Sequence, residues 1–201
     1  MVVMDLTNMA GGLREHKKQA TRAALQHSAV TLCRQRGPAA VTVEDICADA
    51  GVSPRTFFNY FATKEEAVFS LDDGVPDMIR RMIAERPAEE SPLEAIRAVF
   101  TARLEDLARS ATWRERTLLL REHPELLPKI AQPNRALENA VAAAVAARTH
   151  RSEDDLAVRT VAAVAFAAQR VAVCSWRPGS EPTLATLMNR TLDLVRDGLR
   201  V

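Results

Sequence analysis

Along most of this chain apolar residues recur every three or four positions, and no stretch shows the two-residue alternation of a half-buried strand. The first such pattern runs from about Arg14 to Gln35, with Ala24, Leu25, Ala29, Leu32 and Cys33 at helical spacing, and Gly37-Pro38 stops it. Thr42 opens a second, short helix, with Asp45 at the third helical position as a variant capping box. This helix turns Val43, Ile46 and Cys47 inward and ends at Gly51. Ser53-Pro54 restarts the chain, an N-cap serine followed by proline where its missing N–H costs nothing, and predicts a helix from Pro54 to about Phe61. Thr63, with Glu66 three residues on, caps a fourth. Three helix starts thus fall within about 22 residues, and helices this short are marginal without partners. A two-turn helix held by a tight glycine turn is what a helix-turn-helix requires.

Beyond this region the pattern predicts a separate helical body. Ser91-Pro92-Leu93-Glu94 is a capping box opening a helix to about Arg109, and another covers about Thr112 to Glu122. Pro124, Pro128 and Pro133 break the next stretch into turns, and a helix resumes over about Asn134 to Arg148. Ser152 with Asp155 caps a long helix to about Trp176, which Arg177-Pro178-Gly179 ends. A last helix spans about Pro182 to Leu199. Residues 1–12 have no period and end in Gly-Gly, which predicts a flexible arm. The division is therefore 1–12 as arm, 13–70 as a helix-turn-helix domain and 71–201 as a second helical domain in an all-α protein. There is no internal repeat.

Composition sharpens this. Ala, Leu, Arg and Glu dominate a chain that is 47% hydrophobic, enough for a buried core. The net charge of +1 hides an asymmetry: from Leu13 to Lys64 eight basic residues stand against four acidic ones, and the remainder is slightly acidic. A basic head on a neutral-to-acidic body is the outline of a DNA-binder with a second task. Three cysteines without paired spacing speak against disulfides and a zinc site and fit a reducing cytoplasm. The N-terminus shows no signal-peptide pattern. The most apolar stretch, Val158 to Trp176, is interrupted by Arg159, Gln169 and Arg170 and reads as a buried helix, not a membrane span.

Two other classes compete. An all-α enzyme would need a chemistry-bearing motif, and there is no nucleotide-binding glycine loop, HExxH or GxSxG. His16, His27, His123 and His150 are scattered, and Glu65-Glu66 and Asp154-Asp155 sit at helix N-termini, where they favour the helix dipole. A non-specific architectural DNA protein would be far more basic and would not need an apolar body of some 130 residues. No catalytic residue, metal site or cofactor is expected.

The segment TVEDICADAGVSPRTFFNYFATKEEAV, Thr42 to Val68, resembles the DNA-binding domain of the tetracycline-repressor (TetR) family, and the likeness covers about residues 14–70. Arg55, Thr56 and Asn59 share one face of the recognition helix. Arg can read guanine, Asn can read adenine, and Thr can bond or touch a thymine methyl. The resemblance places Tyr60 and Lys64 at phosphate contacts. Thr42 offers a hydroxyl and a helix N-terminal amide to a phosphate, while Lys17, Lys18 and Arg22 can reach the backbone or a minor groove. Phe57 and Phe61 are expected in the core. Phe58 replaces a tyrosine common in the family, so only van der Waals contact is carried over there. Cys33, where the family often has a large aromatic, is expected as a small buried apolar residue.

The same resemblance implies an effector-binding and dimerisation domain in residues 71–201. The helix from Asp155 to Trp176 carries one stripe of Leu156, Thr160, Val164, Ala167, Val171 and Cys174 and another of Ala163, Phe166, Arg170 and Val173, so it should be buried on two sides, one against a partner subunit with the last helix. A homodimer sets two recognition helices roughly 34–36 Å apart on a palindromic operator. Thr117 to Arg148 resembles the TetR subgroup with an acyl-CoA-like ligand-binding domain, which implies a long apolar pocket. Phe100, Leu104, Trp113, Leu120, Leu137, Val141 and Phe166 are its candidate lining, and Arg103, Arg116 and Arg170 could meet an anionic head group. The expected protein is a cytoplasmic homodimeric repressor, free of the membrane, whose partners are double-stranded DNA and a small amphipathic or acyl-CoA effector.

Overall fold

The computed structural model describes residues 6–72 and 74–200, with side chains for all of these except 6–15 and 130–134. Every regular element among the described residues is helical, as the all-α reading expects. The chain forms two compact units that divide between Phe69 and Ser70.

In the first unit, α1 runs Leu6–Arg36. It starts earlier than the sequence pattern implies and carries residues 6–12 of the expected arm. No proline interrupts it, and Gly11-Gly12 cost only about 1 kcal/mol each in a helix interior. Residues 1–5 of that arm lie outside the described residues. Gly37, at φ 81°, ends α1 and donates its N–H to the Cys33 carbonyl at 3.0 Å. A 3-10 turn, Pro38–Ala40, leads to α2, Val43–Ala50, then α3, Pro54–Phe58, and α4, Lys64–Phe69. Gly51 takes the left-handed conformation, φ 68°, that lets α2 turn sharply into α3. The core of this unit joins Leu25, Ala29 and Leu32 of α1 to Ile46 and Cys47 of α2, Phe57 of α3, Phe61, and Ala67 and Val68 of α4. Cys33 is buried there as expected, and burial raises its thiol pKa and that of Cys47.

Among the described residues the second unit contains six α-helices. The first, α5, Val75–Ala84, has no counterpart among the sequence expectations. Its Val75, Met78, Ile79, Met82 and Ile83 keep helical spacing, and Pro76 sits in the first turn, where it is tolerated. The second, α6, Pro92–Arg109, begins with the expected capping box: the Ser91 and Glu94 side chains each bond the other's backbone N–H. It is followed by α7, Ala111–Glu122, a 3-10 stretch Pro124–Ile130, and α8, Ala131–Thr149. Pro133 was expected to break the chain, but it falls in the first turn of α8 and so removes no helix hydrogen bond. Asp155, not Ser152, caps α9, Leu156–Ser175, by accepting from the Ala157 N–H. Thr183 caps α10, Leu184–Arg196.

Packing in this unit is set by small residues. Ala142, Ala144 and Ala146 of α8 and Ala162, Ala165, Ala168 and Ala172 of α9 are buried, which lets the helices approach closely. Phe100, Leu104, Val141 and Met188 fill the space between. Arg97 of α6 pairs with Asp193 of α10 at 2.7 Å, and Thr101 donates to Asn189 at 3.3 Å. At the end of α8 the Arg148 guanidinium donates to one carbonyl in the last turn of α5, Ile83 at 3.3 Å, and to three in the α5–α6 connection, Arg86 at 2.8 Å, Pro87 at 2.6 Å and Glu90 at 2.9 Å. Arg86 and Glu90 close an ion pair within that connection.

The faces of α9 differ from expectation. Its inward stripe is Val158, Ala162, Ala165, Ala168 and Ala172. The stripe that includes Leu156, Thr160, Ala167, Val171 and Cys174 faces outward, with Leu156 82% and Val171 51% exposed. Leu194 on α10 is exposed as well. By length and composition α9 could cross a membrane, and 28% of its most apolar window is buried within the monomer.

Candidate functional site

The first unit builds its polar surface around α3. Ser53 caps the helix, accepting from the Thr56 N–H at 3.2 Å, and the Ser53 and Thr56 hydroxyls meet at 3.0 Å. The helix is shorter than expected, ending at Phe58 with Asn59 as its C-cap. The Tyr60 and Phe61 N–H groups both bond the Phe57 carbonyl, so a tight turn replaces the last predicted turn of helix. Arg55 and Asn59 are exposed and Thr56 is half-buried. Phe57 is fully buried, with its ring against Phe61, and anchors α3 from beneath. The polar groups that could touch base edges are therefore carried on a short helix fixed at both ends.

The expected phosphate contacts divide. Lys17 and Lys18 are exposed on α1. The Arg22 guanidinium stacks over the Phe61 ring, 4.7 Å from its centroid, and is half-buried. Tyr60 is half-buried beside Phe61. Lys64 does not stand free for a phosphate. Its Nζ donates to the Pro38 carbonyl at 2.7 Å and the Val41 carbonyl at 2.6 Å, stapling α4 to the turn before α2. Thr42 is likewise engaged: its N–H and hydroxyl both donate to the Asp45 carboxylate, at 2.9 and 2.7 Å. Those Thr42 hydrogen bonds, from backbone and side chain, hold the Asp45 carboxyl below its usual pKa, with Arg36 at 3.5 Å adding to the effect. The N-cap N–H of α2 is thus already engaged by a carboxylate. The position of Thr42 and Lys64 was legible in the sequence. The carbonyls and the carboxylate that claim their donors lie in the three-dimensional turn and were not.

In the second unit six of the ten residues expected around an effector share one hydrophobic cluster: Phe100, Leu104, Leu137 and Val141 lie in it, and Trp113 and Phe166 pack against it. Phe100, Leu104, Leu137 and Val141 are packed in the core, and Phe100 meets Phe166 edge-on at 5.5 Å. Arg103, Arg116 and Leu120 are half-buried. Trp113 was expected near a pocket and Trp176 near the partner-facing helices, yet their rings lie 5.5 Å apart. Of the ten, Phe166 and Arg170 share an open cleft of about 520 Å³ between α8 and α9, together with Arg135, Glu138, Asn139, Arg159, Ala163 and Ala167. Arg135 and Arg159 were missed by sequence reasoning because nothing in their local spacing points to a common cleft. A second open cleft of about 490 Å³ lies along α6, lined by residues including Arg86, Glu90, Arg97 and Asn189.

A glycine-turned helix pair presenting arginine and asparagine, followed by a separate helical body, defines a helix-turn-helix transcription regulator. Residues 25–70 match the family of bacterial regulatory proteins described as tetR family, and residues 90–200 match the MftR C-terminal domain of the same group. The chain is 30% identical over 184 residues to the HTH-type transcriptional regulator TcmR of Streptomyces glaucescens, covering 88% of this chain and 81% of that one. Among solved structures it is similar to the TetR-family repressor FadR of Thermus thermophilus in complex with lauroyl-CoA, with a TM-score of 0.53, 24% identity and 90% and 95% of the two chains covered. It is also similar to the fatty acid degradation regulator FadR of Bacillus halodurans, with a TM-score of 0.59, 21% identity and 90% and 96% covered. The last two likenesses are of fold. The chain belongs to the TetR family of transcription regulators.

Proposed function

We propose that this protein is a cytoplasmic, homodimeric repressor that binds a palindromic operator and is released from it by a small amphipathic, acyl-type effector. The observation that carries the reading is the exposed end of α3, where Arg55 and Asn59 project from a helix anchored by the buried Phe57. Arg55 and Asn59 read base edges in the major groove, with Thr56 beside them. Lys17, Lys18, Arg22 and Tyr60 set the register on the phosphates. Thr42 and Lys64 contribute by fixing the ends of α2 and α4, through the bonds that already engage them. The outward stripe of α9, with Leu156 and Val171, and the exposed Leu194 of α10 support dimerisation through these two helices, because apolar faces of this kind are stable in water once covered.

The effector half of the reading is supported by the cleft that joins the apolar Phe166 to Arg135, Arg159 and Arg170. An anionic head group on the arginines and a chain directed along Phe166 would suit an acyl thioester, the class of ligand held by the Thermus relative. Release requires the effector to bind the DNA-incompetent arrangement more tightly. A 100-fold loss of operator affinity corresponds to about 2.7 kcal/mol of coupling.

Selection of bound sequences from a random DNA library tests the first half. The full chain should enrich a palindrome, and Arg55→Ala and Asn59→Ala should each lose about 1–3 kcal/mol and relax preference at separate positions. Uniform loss across all sequences would assign both residues to phosphate. For the second half, acyl thioesters and free fatty acids are titrated while emission of the neighbouring Trp113–Trp176 pair and operator affinity are followed together. If neither changes, the acyl effector is discarded and the operator-binding reading stands.

A further inference from the structure

Five large apolar side chains are exposed among those described. Leu156, Val171, Leu194 and Leu199 belong to α9, α10 and the segment just after it. The fifth, Phe58, is alone in the first unit and is 58% exposed. It sits at the last position of α3, between the exposed Arg55 and Asn59 and next to Phe57, which is fully buried. The two rings meet edge-on, 5.4 Å apart at 83°, so burial of Phe57 aims Phe58 away from the core. The helix beneath it is held by the Ser53 cap at one end and by the Tyr60 and Phe61 bonds to the Phe57 carbonyl at the other. The ring is therefore presented on a fixed platform within the polar surface that faces DNA in the function proposed above.

A phenyl ring offers no hydrogen bond and no charge, so a phosphate or the polar edge of a base gives it nothing. One feature of the major groove suits it: the methyl group on carbon 5 of a pyrimidine, which thymine carries and cytosine lacks. We propose that Phe58 is a specificity-determining residue that reads a pyrimidine 5-methyl group in the operator. Because 5-methylcytosine carries the same methyl at the same place, the contact makes operator affinity at that position depend on cytosine methylation. The proposal rests on the operator-binding reading, in which Arg55 and Asn59 supply the hydrogen-bonded part of recognition.

The test uses the full chain and the operator half-site it selects from a random library. Each thymine of the half-site is replaced singly by deoxyuridine, which removes the methyl alone. At one position wild type should lose about fourfold in affinity, the equivalent of about 0.8 kcal/mol for burying one methyl-sized group. Phe58→Ala should show no such loss there, and Phe58→Leu should keep part of it. A cytosine placed at that position should bind better when methylated, again in wild type only. Far-UV melting of both variants should match wild type, since the ring is exposed. A selected site whose thymines all tolerate deoxyuridine overturns the proposal and leaves operator binding intact, as does a deoxyuridine penalty that survives in Phe58→Ala. Failure to select any site removes the proposal together with the reading beneath it.

Discussion

The two units finish their surfaces in opposite ways. The first buries its aromatics Phe57 and Phe61, closes its helix ends with side-chain caps and leaves mostly polar groups outside, Phe58 excepted. The second buries a core built largely of alanine and aliphatic residues and leaves an apolar stripe of α9 in the open. A unit of the first kind is complete by itself. A unit of the second kind carries a face that costs free energy in water until something covers it. The difference teaches where each unit's specificity lies: in a few fixed polar groups for one, in a helix face for the other.

The hardest blow to this contrast is Phe57→Ala, which should remove about 3–5 kcal/mol from the first unit. The only tyrosine, Tyr60, lies in that unit and both tryptophans lie in the second, so each can be watched separately. Operator binding should vanish and part of the helical signal should melt early, while tryptophan emission stays native. Simultaneous loss of that emission would show that the units fold as one and would break the comparison. Next in size, Val171→Asp places a charge on the outward stripe of α9. Dimer affinity should weaken at least about 100-fold, or about 2.7 kcal/mol. Sedimentation that still finds the wild-type dimer would move the interface to another surface.

Smaller effects sharpen the account of the first unit. Lys64→Met strands the Pro38 and Val41 carbonyls and should lower stability by about 1–3 kcal/mol. The salt dependence of operator binding should not change. A slope reduced by about one would return Lys64 to the phosphates. The smallest effect concerns acid. The Asp45 carboxyl is held below its unfolded pKa of about 3.9 by Thr42, so its contribution is fully present above that value and is lost as pH falls through the lower folded-state pKa. Asp45→Asn should therefore melt below wild type at pH 7, with the gap narrowing as pH falls below about 3.9. A gap that stays constant down to pH 3 would mean that the charge contributes nothing.

Local chemistry was legible in the sequence and long-range partnership was not. Thr42 with Asp45, Ser53-Pro54 and Ser91 with Glu94 start helices where they were expected to, because a cap is decided within four residues. The amphipathic spacing of α5 is present in the sequence as well, and Pro76 sits in its first turn, where it is tolerated. The inward stripe of α9 could not be chosen from the sequence, since both of its faces are apolar and only the neighbours decide which is covered. Nor could the acceptors of Lys64, 23 and 26 residues away in the chain. The same limit applies to the effector residues. Phe100, Leu104 and Val141 satisfy the pattern of a pocket lining and of a packed core equally well, and in the fold they are buried.

Arg148 constrains how this protein can diverge. Its two terminal nitrogens satisfy four carbonyls that belong to Ile83, Arg86, Pro87 and Glu90. Lysine brings three donors from a single point and cannot span them, so the usual exchange of one basic residue for another is closed at this position. The connection between α5 and α6 is fixed in length for the same reason, since one inserted residue would carry some of those carbonyls out of reach. Drift at residue 148 and drift in that connection should therefore be inherited together: in descendants of this sequence, a change in one would be tolerated only alongside a compensating change in the other.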